Sequence, residues 1–140
     1  FFLGILLAVG ALQSAGQLGA LAKGLDESIG TDKETGVYAV GLIIGLLSSV
    51  VDNVPLVAAS MGMYPLAQEG YFMQDGLFWE FLAYCAGTGG SALIIGSAAG
   101  VAVMGLEKIT FGWYLKNISF LALLGYFSGA IFYIIEYSLY

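Results

Sequence analysis

Apolar residues fall into four blocks, at about residues 1–22, 37–67, 76–105 and 117–140, with short polar stretches between them. The first block is long enough to cross roughly 30 Å of hydrocarbon as one helix, with Gly4, Gly10 and Gly16 offering close-packing faces. Gln13 and Gln17 stand four residues apart and share a stripe expected to face protein rather than lipid. Residues 23–36 (KGLDESIGTDKETG) are polar and net acidic and read as an aqueous loop, and residues 68–75 (QEGYFMQD) as a shorter one.

The second and third blocks are each interrupted near the middle. Residues 37–67 would overshoot the bilayer as one continuous helix at about 1.5 Å per residue, and Asp52-Asn53-Val54-Pro55 lies at their centre. Pro55 removes a backbone donor and disfavours helix at Val54, so two shorter helices meeting at a break fit better than one. They form either a re-entrant hairpin with its tip at mid-depth or one span with an unwound middle. In the third block, Gly87-Thr88-Gly89-Gly90-Ser91 sets three glycines around two hydroxyls, a poor helix interior. That motif reads as an unwound turn that frees backbone carbonyls, or as a glycine-rich surface where helices cross. Residues 106–116 (LEKITFGWYLK) carry Lys108, Trp113, Tyr114 and Lys116 and resemble an interfacial segment, and residues 117–140 complete a last span.

An Asp inside such a segment is the most informative residue of the chain. A charge at bilayer depth costs about 2.5 to 3.5 kcal/mol on insertion scales, so Asp52 calls for an ion, a proton or a polar pocket; the plainer account is a buried helix cap. Broken helices expose unsatisfied backbone groups and partial charges, and hard cations want oxygen. Asp52 offers the charge, Asn53 a side-chain carbonyl, and Ser48, Ser49, Thr88 and Ser91 hydroxyls, which together could replace the hydration shell of Na⁺. For Ser48 and Ser49, hydrogen bonding to their own helix is the competing role. A desolvated carboxylate holds a proton more strongly, which lets proton and cation compete for one charge and so couples their movement.

Composition supports a bilayer setting and narrows the chemistry. With 59% hydrophobic residues, 10% charged residues and a mean hydropathy of +0.90, the 140-residue chain has too little polar material to cover a soluble domain. Most Tyr and Trp, among them Tyr38, Tyr64, Trp79, Trp113 and Tyr137, lie toward segment ends as interfacial anchors, whereas Tyr84 and Tyr126 lie inside segments. A net charge of −6 without any Arg would repel phosphate, so nucleic acid is excluded as a partner. The lack of His removes His-based triads and His metal sites, and the single Cys85 forms neither an internal disulfide nor a cysteine metal site.

The blocks GLLSSVVDNVPLVAASMGMYPLA (residues 45–67) and CAGTGGSALIIGSAAGVAVMGL (residues 85–106) resemble the carboxy-terminal repeat of NhaD-type sodium/proton antiporters, within the ion-transporter superfamily that also holds dicarboxylate and arsenite carriers. The resemblance covers nearly all of the chain. It implies an all-α integral membrane protein: half of an inverted-repeat transporter, with a re-entrant helical hairpin and a discontinuous transmembrane helix that cradle the cation. Asp52-Asn53 then resembles the hairpin-tip pair, and residues 87–91 the unwound segment beside it. The chain starts at Phe1 with neither an initiator Met nor a signal-peptide pattern, so residues 1–140 are expected to be one transmembrane fragment of a larger transporter, the amino-terminal repeat lying elsewhere.

The expected function is exchange of Na⁺ or Li⁺ for H⁺ across the cell's inner (plasma) membrane by a multi-pass protein. Its partners are those ions, the bilayer and the amino-terminal repeat, with room for a homodimer; no enzymatic activity and no cofactor are expected. An anion, dicarboxylate or arsenite carrier of the same superfamily is the alternative, and Asp52 together with the lack of Arg counts against it. An intramembrane aspartyl hydrolase would need a second carboxylate facing Asp52, and Glu80, near the start of its segment, is the other candidate. If residues 37–67 are re-entrant, the positive-inside rule puts Lys108 and Lys116 in the cytoplasm and the two acidic loops outside.

Overall fold

A computed structural model describes residues 2–139, with the side chains of residues 2, 5, 6, 9, 13, 18, 19, 21, 22 and 26 outside the description. The described residues fold into helices joined by short turns, with one isolated bridge between Ala67 and Met73 as their extended pairing. In chain order the helices are α1 (Phe2–Ser14), α2 (Gln17–Ile29), α3 (Glu34–Leu47), α4 (Asn53–Met63), α5 (Leu77–Gly89), α6 (Ala98–Leu106), α7 (Phe111–Asn117) and α8 (Ser119–Leu139).

The amino-terminal block differs from the expectation of a single helix. α1 stops at Ser14 and α2 begins at Gln17, with Gly16 between them in the left-handed region (φ 72°). Gly30 (φ 77°) stops α2 in the same way, and since α3 begins at Glu34, most of the expected polar loop is helical. Both glycines follow a helix end where a left-handed residue is needed and a Cβ would be strained. Gly4 and Gly10 face open space rather than a packed neighbour. The expected Gln13–Gln17 stripe depends on Gln13, whose side chain lies outside the described residues.

The core lies where α3, α5 and α8 meet. Val37, Val40 and Ile44 of α3 pack with Leu77, Phe78, Phe81, Leu82 and Cys85 of α5 and with Tyr126 and Ala130 of α8. Helix axes approach closely where glycine leaves room: a Cβ at Gly41 would run into the Phe81 ring, and one at Gly89 would strike the backbone of Gly45. Contact at that range is what small residues supply in membrane helix packing. Below the core, the turn before α5 is pinned by aromatic packing of Tyr64 with Phe72 and Phe78, and the Trp79 indole N–H donates to the Phe72 carbonyl at 3.0 Å.

α8 is 21 residues long and apolar enough to cross a membrane, the one such helix among the described residues. Phe120, Leu121, Leu124, Ile131, Phe132 and Ile135 of α8 are exposed, while Ser119, Tyr126 and Ala130 mark its buried side. α3 and α4 are shorter apolar helices of 14 and 11 residues.

Candidate functional site

Residues 48–52 separate α3 from α4. α3 ends at Leu47, and a tight turn follows in which the Ser48, Ser49 and Val50 amides bond back to Gly45, Leu46 and Leu47. Pro55 falls in the first turn of α4, where its missing N–H costs nothing, so Val54 is helical despite preceding a proline. Asp52 occupies the N-cap position of α4 with extended backbone (φ −48°, ψ 143°), yet its carboxylate makes no capping hydrogen bond. The account of Asp52 as a buried cap therefore fails on both points, for the residue is half-buried and its oxygens are not spent on the helix.

The second break lies later than the sequence predicts. α5 runs on through Gly87, Thr88 and Gly89, and the irregular stretch consists of two short 3₁₀ turns, Gly90–Ala92 and Ile94–Gly96, with extended residues at Leu93 and Ser97. Packing against α3 offsets the helix cost of those glycines, about 1 kcal/mol each. The Thr88 hydroxyl donates to the Tyr84 carbonyl one turn back at 2.7 Å, and Gly89 is flush against Gly45. Thr88 is exposed at the end of α5, and Ser91 is exposed within the first 3₁₀ turn, its carbonyl accepting from the Tyr114 hydroxyl at 2.8 Å.

The two breaks touch through their backbones. A Cβ at Gly96 would lie 2.7 Å from the Ser49 carbonyl oxygen and 2.8 Å from that of Ser48, so glycine is required for the crossing. Among the described residues neither of those carbonyls accepts a hydrogen bond. The hydroxyls of the same serines are engaged: Ser48, fully buried, donates to the Ala86 carbonyl at 2.9 Å, and Ser49 donates to Leu46 at 2.7 Å. Asp52 faces a cleft of about 330 Å³ whose other walls are Ile95, Ser97, Ala98 and Val101. The structure thus joins Asp52 to the second break, with Asn53 next along α4 and half-buried, whereas Ser48, Ser49, Thr88 and Ser91 do not line that cleft.

Ser97 is the cleft residue that the sequence reading passed over. It is the N-cap of α6, its hydroxyl accepting from the Gly100 amide at 3.0 Å, and a Ser placed just before the apolar run of residues 98–106 was the available signal. Glu80 is exposed near the start of α5 and accepts from the Tyr133 hydroxyl at 3.0 Å, outside the Asp52 cleft. Among the described residues no cluster of three metal-ligating side chains is present, so any cation held here would draw on main-chain oxygens as well.

Two breaks thus meet through their backbones, with the Asp52 carboxylate in a cleft against the second. The chain is 50% identical to Sodium/proton antiporter 1 of Arabidopsis thaliana over 99% of its length, and 48% identical to Sodium/proton antiporter 2 of the same plant over 96%. It is 40% identical to the Na(+)/H(+) antiporter NhaD of Vibrio cholerae over 83% of its length. The chain belongs to the NhaD-type sodium/proton antiporter family. It spans 23%, 30% and 22% of the lengths of those three relatives. No family model matches the chain, and no solved structure matches it.

Proposed function

We propose that the chain is part of the translocation core of an antiporter that exchanges Na⁺ or Li⁺ for H⁺, with Asp52 as the charge that the two ions share. In this reading α3 and α4 form a re-entrant hairpin with residues 48–52 at its tip, and α5 and α6 are the halves of one discontinuous helix. The observation that carries it is the cleft in which the uncapped Asp52 carboxylate faces Ile95, Ser97 and Ala98 of the second break. Asp52 and Asn53 bind the cation by their side chains; the Ser48 and Ser49 carbonyl oxygens, which accept no hydrogen bond among the described residues, lie against Gly96 outside the cleft and reach the ion only when the two breaks shift. Thr88 and Ser91, exposed outside the cleft, are not ligands in this reading.

The other half of the site belongs to an amino-terminal repeat that packs on α4 and α6. Their exposed apolar residues, including Val54, Met61, Val101 and Val103, suit that contact. The whole protein is a multi-pass transporter, of the inner membrane in a bacterial cell, and is not an enzyme. The relatives' names support Na⁺ and H⁺ as the transported ions.

Asp52→Asn keeps the size and removes the titratable charge. In vesicles holding the full-length transporter it should abolish Na⁺-dependent proton movement. Near-normal exchange by a well-inserted variant rules out Asp52 as the shared site.

A further inference from the structure

Three side-chain hydroxyls outside the cleft link the three core helices in a closed ring. Tyr84 of α5 donates to the Tyr126 carbonyl of α8 at 2.9 Å. The Tyr126 hydroxyl donates to the Leu42 carbonyl of α3 at 2.9 Å. Ser48, at the carboxy-terminal end of α3, donates to the Ala86 carbonyl of α5 at 2.9 Å and closes the ring. Each bond runs from one helix to the next, and none repeats a pair.

The surroundings are shaped around these hydroxyls. A Cβ at Gly129 would collide with the Tyr84 hydroxyl, and one at Gly45 would collide with that of Tyr126, so each phenol tip is seated in a glycine hollow on the facing helix. Ser48 is fully buried and Tyr126 is 2% exposed, so the Ser48 bond is shielded from water, whereas the Tyr84 phenol is half-buried. Ala86 lies in the last turn of α5, where carbonyls run out of intrahelical donors. Ser48 therefore caps α5 from the neighbouring helix, and the ring ends on the residues that precede both breaks.

We propose that Tyr84, Tyr126 and the Ser48 hydroxyl are positioning residues that fix the first break against the second, and so set the spacing of the cation's oxygen ligands. This rests on the antiport reading of the Asp52 cleft. The ring assigns the Ser48 hydroxyl to geometry, leaving its carbonyl to the ion. Tyr84 and Tyr126 touch neither ion nor cleft and act through the helix ends.

A ring opened at any one bond loses its constraint, so effects on cation binding should be shared rather than summed. In full-length transporter, Tyr126→Phe, Tyr84→Phe and Ser48→Ala should each raise the apparent KM for Na⁺ by about three- to tenfold, the range expected from one interhelical hydrogen bond in a membrane. In Tyr126→Phe and Tyr84→Phe, maximal exchange per inserted molecule and the ratio of Na⁺ to Li⁺ affinity should stay near wild type. The double variant Ser48→Ala/Tyr126→Phe should be no worse than the weaker-binding single. A bond that only holds the fold together would lower the amount of inserted protein and leave KM unchanged.

An unchanged KM in Tyr126→Phe and Tyr84→Phe overturns the proposal, as do fully multiplicative effects in the double variant. A changed Na⁺/Li⁺ ratio in Ser48→Ala alone would make that hydroxyl a ligand and overturn its assignment. Hydrogen exchange separates this result from the antiport reading. Faster exchange of residues 44–52 and 86–92 in Tyr126→Phe supports the ring even if Asp52→Asn turns out to transport normally, and unchanged exchange there counts against the ring whatever Asp52 does.

Discussion

The α3–α5–α8 core and the pair of breaks beside it are built on opposite principles from neighbouring stretches of the same helices. In the core nearly every inward position is apolar and closed, with Val37, Val40, Phe81 and Cys85 fully buried. A few residues further along, α6 has no buried residue and α4 has only Ser60. One region spends its sequence on packing, and the other leaves the Ser48 and Ser49 carbonyl oxygens and the Asp52 carboxylate without hydrogen-bond partners among the described residues. A site that must take up and release an ion cannot be packed shut, so its geometry has to come from a rigid neighbour. Here that neighbour is attached directly, through Gly45 against Gly89 and Gly96 against Ser48 and Ser49.

The strongest way to break this contrast is to separate core from breaks at their shared contact. Gly89→Leu would drive a side chain into the Gly45 backbone and should abolish transport, whereas a Cβ at Gly125 of α8 would meet nothing within 4 Å, so Gly125→Leu should be milder. Equal damage at both positions, measured as exchange per inserted molecule, would show that close approach at Gly89 is not what matters.

A smaller effect sharpens the picture of the break itself through pH. If proton and cation compete for one site, as the antiport proposal holds, apparent Na⁺ affinity rises as pH rises. The limiting slope for one competing proton is about tenfold per pH unit, flattening once protons no longer compete. Sodium-induced proton release followed across a pH series gives the slope directly. A flat profile would move the coupling to residues outside this chain.

Ser97→Ala should cost about 1 kcal/mol by removing the N-cap of α6, seen as a lower melting temperature together with a modest rise in KM for Na⁺. The mildest change is Thr88→Ala. Its hydroxyl bonds one turn back on the exposed side of α5, so stability should move by less than about 0.5 kcal/mol and transport by less than a factor of two. A large loss at Thr88 would bring it back into the ion site and move the functional break toward residues 87–91.

Hydrophobic blocks, a carboxylate within one of them and breaks in two of them were legible along the chain, because each is a local property of composition and backbone chemistry. Lipid-grade apolar runs announce themselves without partners, and Asp52 three residues before Pro55 marks a break in such a run. The amino-terminal block misled for the opposite reason: Gly16 carries no signal of whether it packs inside a helix or turns left-handed to end one. The second break was misplaced for a related cause. Helix propensity condemns Gly87, Thr88 and Gly89, yet Gly89 against Gly45 repays a straight helix with a contact that only the assembled α3 and α5 supply. Tertiary structure alone also joined Asp52 to Ser97, 45 positions on, and gave Tyr84 and Tyr126 their partners across helices. The sequence by itself determined which segments are apolar and where charge and hydroxyls lie along them; which of those oxygens face one another depended on how closely three helices approach, and that is set by side chains far apart in the chain.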